Sequence, residues 1–276
     1  LGALFMAPAV GSSQWITAYA PYWWDQSGAG VSQIDVNAAT HWVNFNANPR
    51  PSAAPFYSIP NGLEAWANQL IPKVHNAGKK AILSLGGIYG GGASDMRSIA
   101  NNAANSAAYA VAVVAYAKSK GYDGVEMDWE FPLAADRVGW NRLNRNIRNE
   151  LDKWPVRGIY ICAAYARTGG ATDSYFAYQR DSMVVYFDQI NAMTYTMWQG
   201  NDQNYRSGFD TPVNPPTQFS GYNGYNLTQN GPQSFLDAGY PASLIGVSIS
   251  FEGTRFGGVT TMGQPYSSWQ FVSTVT

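Results

Sequence analysis

Cysteine and histidine are nearly absent from this sequence, which removes most routes to metal sites and activated nucleophiles. Cys162 is the only cysteine among the 276 residues, so these residues hold no intrachain disulfide and no cysteine metal cluster. Its apolar surroundings indicate a small buried side chain. A histidine metal site or a Ser-His-Asp triad would have to use His41 or His75, the only two histidines. Phosphate-binding glycine motifs and the Gly-x-Ser-x-Gly motif are also missing.

Charge is sparse and balanced. The chain has 17 Lys and Arg against 18 Asp and Glu, and only 13% of its residues are charged. No basic run is present, so the sequence gives no electrostatic reason to expect nucleic acid or an anionic membrane as a partner. No apolar run approaches the 18 residues that indicate a membrane span.

Aromatic residues, in contrast, are abundant. The chain has 10 Trp, 18 Tyr and 12 Phe, and many lie among Gly, Asn and Ser, as Trp23 and Trp198 do. Flat rings with apolar faces suit the C–H faces of sugars, and nearby amides and hydroxyls can pair with sugar hydroxyls. The alternative is that the rings are core residues, which we expect for those inside strands, such as Phe45.

The start of the chain has two interpretations. Residues 1–14 include a short apolar segment, 1–10, that ends in small residues. This segment is interpreted as the remnant of a secretory signal or as an N-terminal arm. Because the composition suits sugar binding and Lys is rare, we expect a secreted protein.

Strand and helix patterns alternate along residues 15–276. This alternation predicts a parallel sheet covered by helices, and its seven strands indicate one domain with the (β/α)₈ TIM-barrel fold. Only 25 residues follow Phe251, and they resemble neither a helix nor an apolar strand. The eighth strand is therefore expected to be irregular, or the sequence ends before it. The predicted strands are 15–22, 41–46, 80–85, 121–132, 159–165, 189–195 and 244–251; the predicted helices are 61–77, 98–120, 136–154, 174–186 and 233–238.

One strand carries a run of acids. In the segment GYDGVEMDWEFP, Glu126, Asp128 and Glu130 lie two residues apart and so share one face of the strand. Consecutive members of this run have Cα atoms about 6.6 Å apart. Repulsion at that range raises the pKa of at least one carboxyl, which then serves as a general acid. A solvated strand face is the alternative, but inward positions of a parallel barrel are enclosed, and Glu130 lies at the carboxyl end, where barrel enzymes carry out catalysis.

The residues alone therefore predict two neighbouring acids of a glycosidase. They leave open whether a carboxylate attacks the sugar directly.

With these motifs in place, the chain resembles glycoside hydrolase family 18, the chitinases and their relatives. The acidic run, from Asp123 to Glu130, is similar to the family's Asp-x-x-Asp-x-Asp-x-Glu signature. Ser84-Leu85-Gly86-Gly87 resembles its Ser-x-Gly-Gly motif, Met193-Thr194-Tyr195 its Met-x-Tyr motif, and Tyr19 its first-strand aromatic.

The resemblance implies a retaining mechanism in which the substrate's 2-acetamido oxygen is the nucleophile. Glu130 would be the acid and base, Asp128 would bind the acetamido N–H, Tyr195 would orient the acetamido oxygen, and Asp123 and Glu126 would support them. The resemblance implies chitin or its oligosaccharides as substrate, no metal or organic cofactor, and a monomer. The residues expected to contact substrate are Tyr19, Trp23, Gly86, Gly87, Trp129, Met193 and Trp198.

The chain departs from the family pattern at three places. Glu126 replaces an Asp, Thr196 replaces a common Asp, and the Trp that ends the family's eighth strand has only the weak match Trp269. Two alternatives to a chitinase therefore stay open: a chitinase-like lectin, and an endo-β-N-acetylglucosaminidase acting on N-glycans.

Overall fold

A parallel β-sheet forms the centre of the protein. The computed structural model describes residues 14–28, 30–88, 92–166, 178–195, 207–208, 211–214, 226–261 and 263–273. For residues 25–27, 252–254 and 269–273 it describes the backbone only. Seven strands of the sheet are Thr17–Pro21 (β1), His41–Pro49 (β2), Lys80–Gly86 (β4), Gly124–Asp128 (β5), Ile159–Tyr165 (β6), Gln189–Met193 (β7) and Ile245–Val247 (β8). They lie side by side in the order β1-β2-β4-β5-β6-β7-β8, and every neighbouring pair is parallel.

Three short strands lie outside this parallel path. Tyr57–Ser58 (β3) pairs antiparallel with the end of β2. Glu252–Gly257 (β9) and Ser268–Ser273 (β10) form a separate antiparallel hairpin. The described residues after Phe251 thus form neither a helix nor an eighth parallel strand, and β1 and β8 do not pair within the described part of the chain. The backbone of Trp269 lies in β10, while its side chain is outside the description.

Helices cover the outer face of the sheet. They are Leu63–Asn76 (α1), Gly92–Asn101 (α2), Ala103–Lys120 (α3), Arg137–Leu151 (α4), Arg180–Tyr186 (α5) and Pro232–Asp237 (α6). The single helix predicted for 98–120 is wrong, because the Asn102 side chain accepts a hydrogen bond from Asn105 N at 3.0 Å and starts a new helix there. Of the helices that are described, none has the length and apolarity needed to cross a bilayer.

The hydrophobic core has two parts. The larger part lies between the sheet and the helices and contains the fully buried rings of Trp129, Trp140 and Tyr160. The smaller part lies inside the curled sheet and consists of Val43, Ile82 and Ile161. The narrow apolar interior leaves the carboxyl ends of the strands as the place where polar side chains collect.

A close contact between two strand ends fixes that region. Gly86, at the end of β4, has a φ of +118°, and a Cβ added there would lie 2.3 Å from the backbone oxygen of Asp128. The next residue, Gly87, donates its N–H to the same oxygen at 2.6 Å. The two glycines therefore allow the backbone of β4 to lie directly against the end of β5.

We expect Gly86→Ala to lower the free energy of unfolding by about 3 kcal/mol, because the new methyl group meets a backbone oxygen and the backbone conformation is strained. Gly78→Ala is the matched control, since Gly78 also has a positive φ, +69°, but has no atom within 4 Å of the added Cβ. That variant should lose about 1 kcal/mol. Urea unfolding of both proteins measures the difference, and equal losses would show that the contact does not matter.

Candidate active site

Strand β5 separates its side chains into an inward acidic face and an outward apolar face. Glu126 has no exposed surface and Asp128 is 3% exposed, both inside the curled sheet. Val125 and Met127 point the other way, into the core beneath the helices. Glu130 follows the carboxyl end of the strand and is half-buried. The predicted shared face of Glu126 and Asp128 is thus present in the structure.

Glu126 is held from the opposite side of the sheet. The Tyr19 hydroxyl on β1 donates to Glu126 Oε1 at 2.6 Å. Ser84 on β4 is paired in register with Glu126. Ser84 Oγ and Glu126 Oε2 are both buried and have no hydrogen bond of ordinary geometry within the described residues. Within the described residues, the fully buried Glu126 carboxyl group therefore has one strong hydrogen bond, from Tyr19.

The three acids favour their protonated forms. Burial raises the pKa of Glu126 to about 7, helped by the charge of Glu130 and opposed by the hydroxyls of Tyr19 and Ser84. Burial, with the charges of Glu130 and Glu126, raises the pKa of Asp128 well above its usual range. Burial also raises the pKa of Glu130 to about 7. At neutral pH the cluster shares protons, so Glu130 is able to act as a general acid.

Aromatic side chains lie on both sides of the acids. On one side, the ring of Trp23, 39% exposed, lies edge-on to Phe45 with centroids 5.5 Å apart. Phe45 in turn contacts Tyr19 at 6.4 Å. On the other side, Phe131 and Tyr165 have centroids 4.6 Å apart. Rings on both sides of the acids suit the binding of a chain of sugar units.

Sequence reasoning misses three of these rings. The sequence predicts a core position for Phe45, yet this side chain is half-buried and contacts the exposed Trp23. Phe131 follows Glu130 directly, and Tyr165 is the last residue of β6. Position at the carboxyl end of a predicted strand is the signal that identifies both Phe131 and Tyr165.

Strand β7 ends close to the same cluster. Met193, its last residue, is half-buried and pairs in register with Tyr165 on β6. Tyr195 lies two residues further on, also half-buried. Burial and the charges of Glu126, Asp128 and Tyr195 raise the pKa of Tyr19, which puts Tyr195 within electrostatic reach of Tyr19. Trp198 and Thr196 lie outside the described residues.

Gly86 and Gly87 are both buried, and the contact that the structure shows for them is the close approach to the backbone of Asp128. A direct contact of these glycines with substrate stays a prediction.

The Trp129 side chain points away from the acids. Its ring has no exposed surface and packs against Trp140 with centroids 5.8 Å apart, in the core beneath the helices. The predicted contact of Trp129 with substrate is wrong, because strand alternation turns this side chain away from the acids on either side of it.

Asp123 lies at the opposite end of β5. Its carboxylate accepts hydrogen bonds from His75 Nε2 at 2.8 Å, Lys80 Nζ at 2.9 Å and Ala81 N at 2.9 Å. Burial raises its pKa, but these hydrogen bonds outweigh burial and lower the pKa overall. About 23 Å of extended chain separates Asp123 from Glu130, so Asp123 does not contact that acid directly, and its supporting role stays a prediction.

No group of three or more His, Cys, Asp or Glu side chains suited to a metal ion occurs in the described part of the chain.

The buried acids should make the protein less stable as the pH rises. The pKa of Glu126 is about 7 in the folded protein, whereas the ordinary pKa of a glutamate side chain is 4.5. The folded state therefore binds the proton more tightly, so this contribution to stability is full below pH 4.5 and is lost as the pH rises through about 7. We expect Glu126→Gln to raise the free energy of unfolding by about 2 kcal/mol at about pH 8 relative to wild type, and by much less at about pH 4. Urea unfolding across this pH range measures it; parallel curves for the two proteins would contradict buried ionisation of Glu126.

Comparison with known proteins agrees with the geometry. The family model for glycosyl hydrolases family 18 matches residues 22–273. Chitinase 1 of Aphanocladium album is 28% identical over 207 residues, which are 72% of this chain and 48% of that protein. Chitinase A1 of Niallia circulans is 25% identical, over 90% of this chain and 44% of that protein. The chain thus spans less than half the length of these two relatives.

Solved structures share the fold. A GH18 chitinase from Cycas revoluta in complex with (GlcNAc)3 has a TM-score of 0.79 at 19% identity, covering 93% of this chain and 77% of that one. A chitinase-like agglutinin from Robinia pseudoacacia has a TM-score of 0.79 at 18% identity with the same coverage. The predicted TIM-barrel fold class is confirmed by these neighbours. Because the family model covers most of the chain, the protein belongs to glycosyl hydrolases family 18.

Proposed function

We propose that the protein is an endo-acting chitinase that hydrolyses β-1,4 linkages between N-acetylglucosamine units. The observation that carries the proposal is the half-buried Glu130, with a pKa raised to about 7, beside the buried Asp128. Chitinases among the relatives and a structural neighbour bound to (GlcNAc)3 support this substrate class.

The first step needs a proton donor at the glycosidic oxygen. Glu130 lies at the carboxyl end of β5, is accessible, and holds a proton near neutrality because burial raises its pKa. It gives this proton to the leaving oxygen as the bond to the anomeric carbon breaks. As a carboxylate, Glu130 then takes a proton from the water that completes the reaction, which restores the acid.

The nucleophile is best supplied by the substrate. Asp128 has a pKa well above its usual range and is 3% exposed. A protonated, buried carboxyl group is a poor nucleophile for an anomeric carbon. Glu126 is deeper, with no exposed surface and a hydrogen bond to Tyr19. The substrate's 2-acetamido oxygen therefore attacks, Asp128 hydrogen-bonds the acetamido N–H, and Tyr195 hydrogen-bonds the acetamido oxygen.

The aromatic side chains support an endo mode of action. Trp23 and Phe45 lie over β1 and β2, while Phe131 and Tyr165 lie over β5 and β6. Because rings are present on both sides of the acids, sugar units can bind on both sides of the cleaved bond. Binding on both sides of the cleaved bond would allow cleavage at internal positions of a polymer. Secretion and a monomeric state stay predictions from the sequence.

A lectin is the second candidate function. The observation that favours it is the fold shared with a chitinase-like agglutinin. Retention of Glu130 at the end of β5, with its raised pKa, favours the enzyme instead.

We expect Glu130→Gln to lower kcat on chitin oligosaccharides by about 10³-fold while substrate binding is retained, because the general acid is lost and the shape is kept. Glu150→Gln is the control: Glu150 lies near the far end of α4, where it pairs with Lys153. Hydrolysis is measured on (GlcNAc)4, polymeric chitin and an N-glycan. Cleavage of the N-glycan alone would indicate an endo-β-N-acetylglucosaminidase, and binding without hydrolysis by the wild type would indicate a lectin.

We expect a thiazoline analogue of the oxazolinium intermediate to inhibit competitively, because it resembles the product of acetamido attack. The inhibition constant is measured for wild type and for Tyr195→Phe, which should bind the analogue about tenfold more weakly after losing one hydrogen bond. A covalent sugar adduct on Asp128 and no inhibition would support a carboxylate nucleophile instead.

A further inference from the structure

The position of Glu130 depends on its backbone. Within the described residues, the Glu130 carboxyl group makes no hydrogen bond or ion pair to another side chain. Its segment leaves β5 and runs through Phe131 to a short 3₁₀ helix at Ala134–Asp136 before α4 begins. Whatever anchors this segment therefore sets where the carboxyl group lies.

The far end of the segment is anchored by a buried acid. Asp136 is 2% exposed, and its Oδ2 accepts the N–H of Leu133 at 2.8 Å. Both of its oxygens lie 2.9 Å from Nε of Arg97 on α2. Only Phe131 and Pro132 separate Glu130 from Leu133, so the chain between them has little freedom once the Leu133 amide is fixed.

The start of the segment, at Asp128, is held by β4 and α2, the same part of the fold that carries Arg97. Gly87, just after β4, donates its N–H to the carbonyl of Asp128 at 2.6 Å. The helix α2 that carries Arg97 begins at Gly92, where an added Cβ would lie 1.9 Å from the oxygen of Gly87. The β4–α2 unit thus contacts the acid-bearing segment both before and after Glu130.

The helix α2 is itself fixed at its other end. Arg142 on α4 donates to the carbonyl oxygens of Ala100 at 2.9 Å and Asn101 at 3.1 Å. Gly139 lies so close that an added Cβ would be 2.4 Å from Asn101 Oδ1. Because α2 is held at both ends, Arg97 can serve as a firm support for Asp136.

We propose that Asp136, paired with Arg97, is a positioning residue that holds the Glu130 carboxyl group in its half-buried place beside Asp128. The role in catalysis rests on the proposed chitinase function, whereas the positional role does not. The titratable groups that interact with Glu130 are Asp128 and Glu126 on β5. These two acids in turn interact with Tyr19 on β1, which is also within reach of Tyr195 after β7. Release of the segment would let water reach Glu130 and weaken its contact with these groups.

The fold offers a matched control at the opposite end of the barrel. Asp188 precedes β7, accepts the backbone N–H of Tyr160 at 2.8 Å and pairs with Arg148 at 3.2 Å. Like Asp136, it combines a backbone amide with an arginine, and it pairs with a second arginine, Arg157, as well. It differs in lying at the amino end of the strands, far from Glu130.

The experiment compares Asp136→Ala with Asp188→Ala. For Asp136→Ala we expect kcat on (GlcNAc)4 to fall about tenfold or more with KM changed less than about threefold, because a bound substrate meets a displaced acid. For Asp188→Ala we expect a comparable loss of stability with kcat kept. Asp136→Asn, which still accepts the Leu133 amide, should recover part of the rate.

A second measurement is independent of hydrolysis. Carboxyl groups of glutamate are titrated by ¹³C NMR, with the Glu130 signal assigned by its loss in Glu130→Gln. We expect Asp136→Ala to lower the pKa of Glu130 from about 7 toward its ordinary value, and Asp188→Ala to leave it unchanged. If Asp136→Ala fails to fold, Arg97→Gln at a partly exposed side chain replaces it.

An unchanged Glu130 titration in Asp136→Ala, or equal changes in the two alanine variants, would overturn the positional role. If the wild type does not hydrolyse (GlcNAc)4, the chitinase proposal fails, and the titration still decides whether Asp136 positions Glu130.

Discussion

Two carboxyl groups on the inner face of β5, those of Glu126 and Asp128, are removed from water, and a third, that of Glu130, is half-buried just beyond the strand. A buried carboxylate is costly unless it is paired, yet Tyr19 gives Glu126 the one well-formed hydrogen bond to the acids seen among the described residues. Within that part of the chain, Glu130 has no such hydrogen bond, and with a pKa of about 7 it holds a proton near neutrality. The proposed proton donation by Glu130 rests on this missing compensation: loss of the proton to the substrate places a further negative charge beside Asp128, and that repulsion favours the return of a proton from water.

The two ends of the barrel differ in whether their acidic side chains have cationic partners. At the amino end, Asp123 and Asp188 have cationic partners and accept backbone amides. At the carboxyl end, no cationic side chain pairs with Glu126, Asp128 or Glu130 in the described residues. Paired charges hold the strands in place, while unpaired charges are available for chemistry. This division is the one expected for a TIM-barrel enzyme.

The sequence predicted those parts of the site that follow from strand period alone. Glu126 and Asp128 share a face because side chains alternate, and Glu130 lies at the mouth because the strand ends there. The error in the site came where a linear motif was read as a spatial cluster: Trp129 is turned outward by the alternation that places its neighbours inward. Asp123 belongs to the same motif, but its carboxylate lies at the other end of the strand. The break in the 98–120 helix depends on which of several Asn side chains caps a helix. The half-buried position of Phe45 depends on a tertiary contact with Trp23. Neither feature can be predicted from residue spacing.

The hydrogen bond between Tyr19 and Glu126 joins residues 107 positions apart. Such a contact forms late, because the entropy of closing so long a loop must be overcome before the bond contributes anything. During synthesis the first strand leaves the ribosome well before the fifth, so β1 must wait for most of the sheet before its tyrosine finds the acid. The site therefore matures only when the sheet has curled, and a partly folded chain would carry the acids of β5 without their hydroxyl donor.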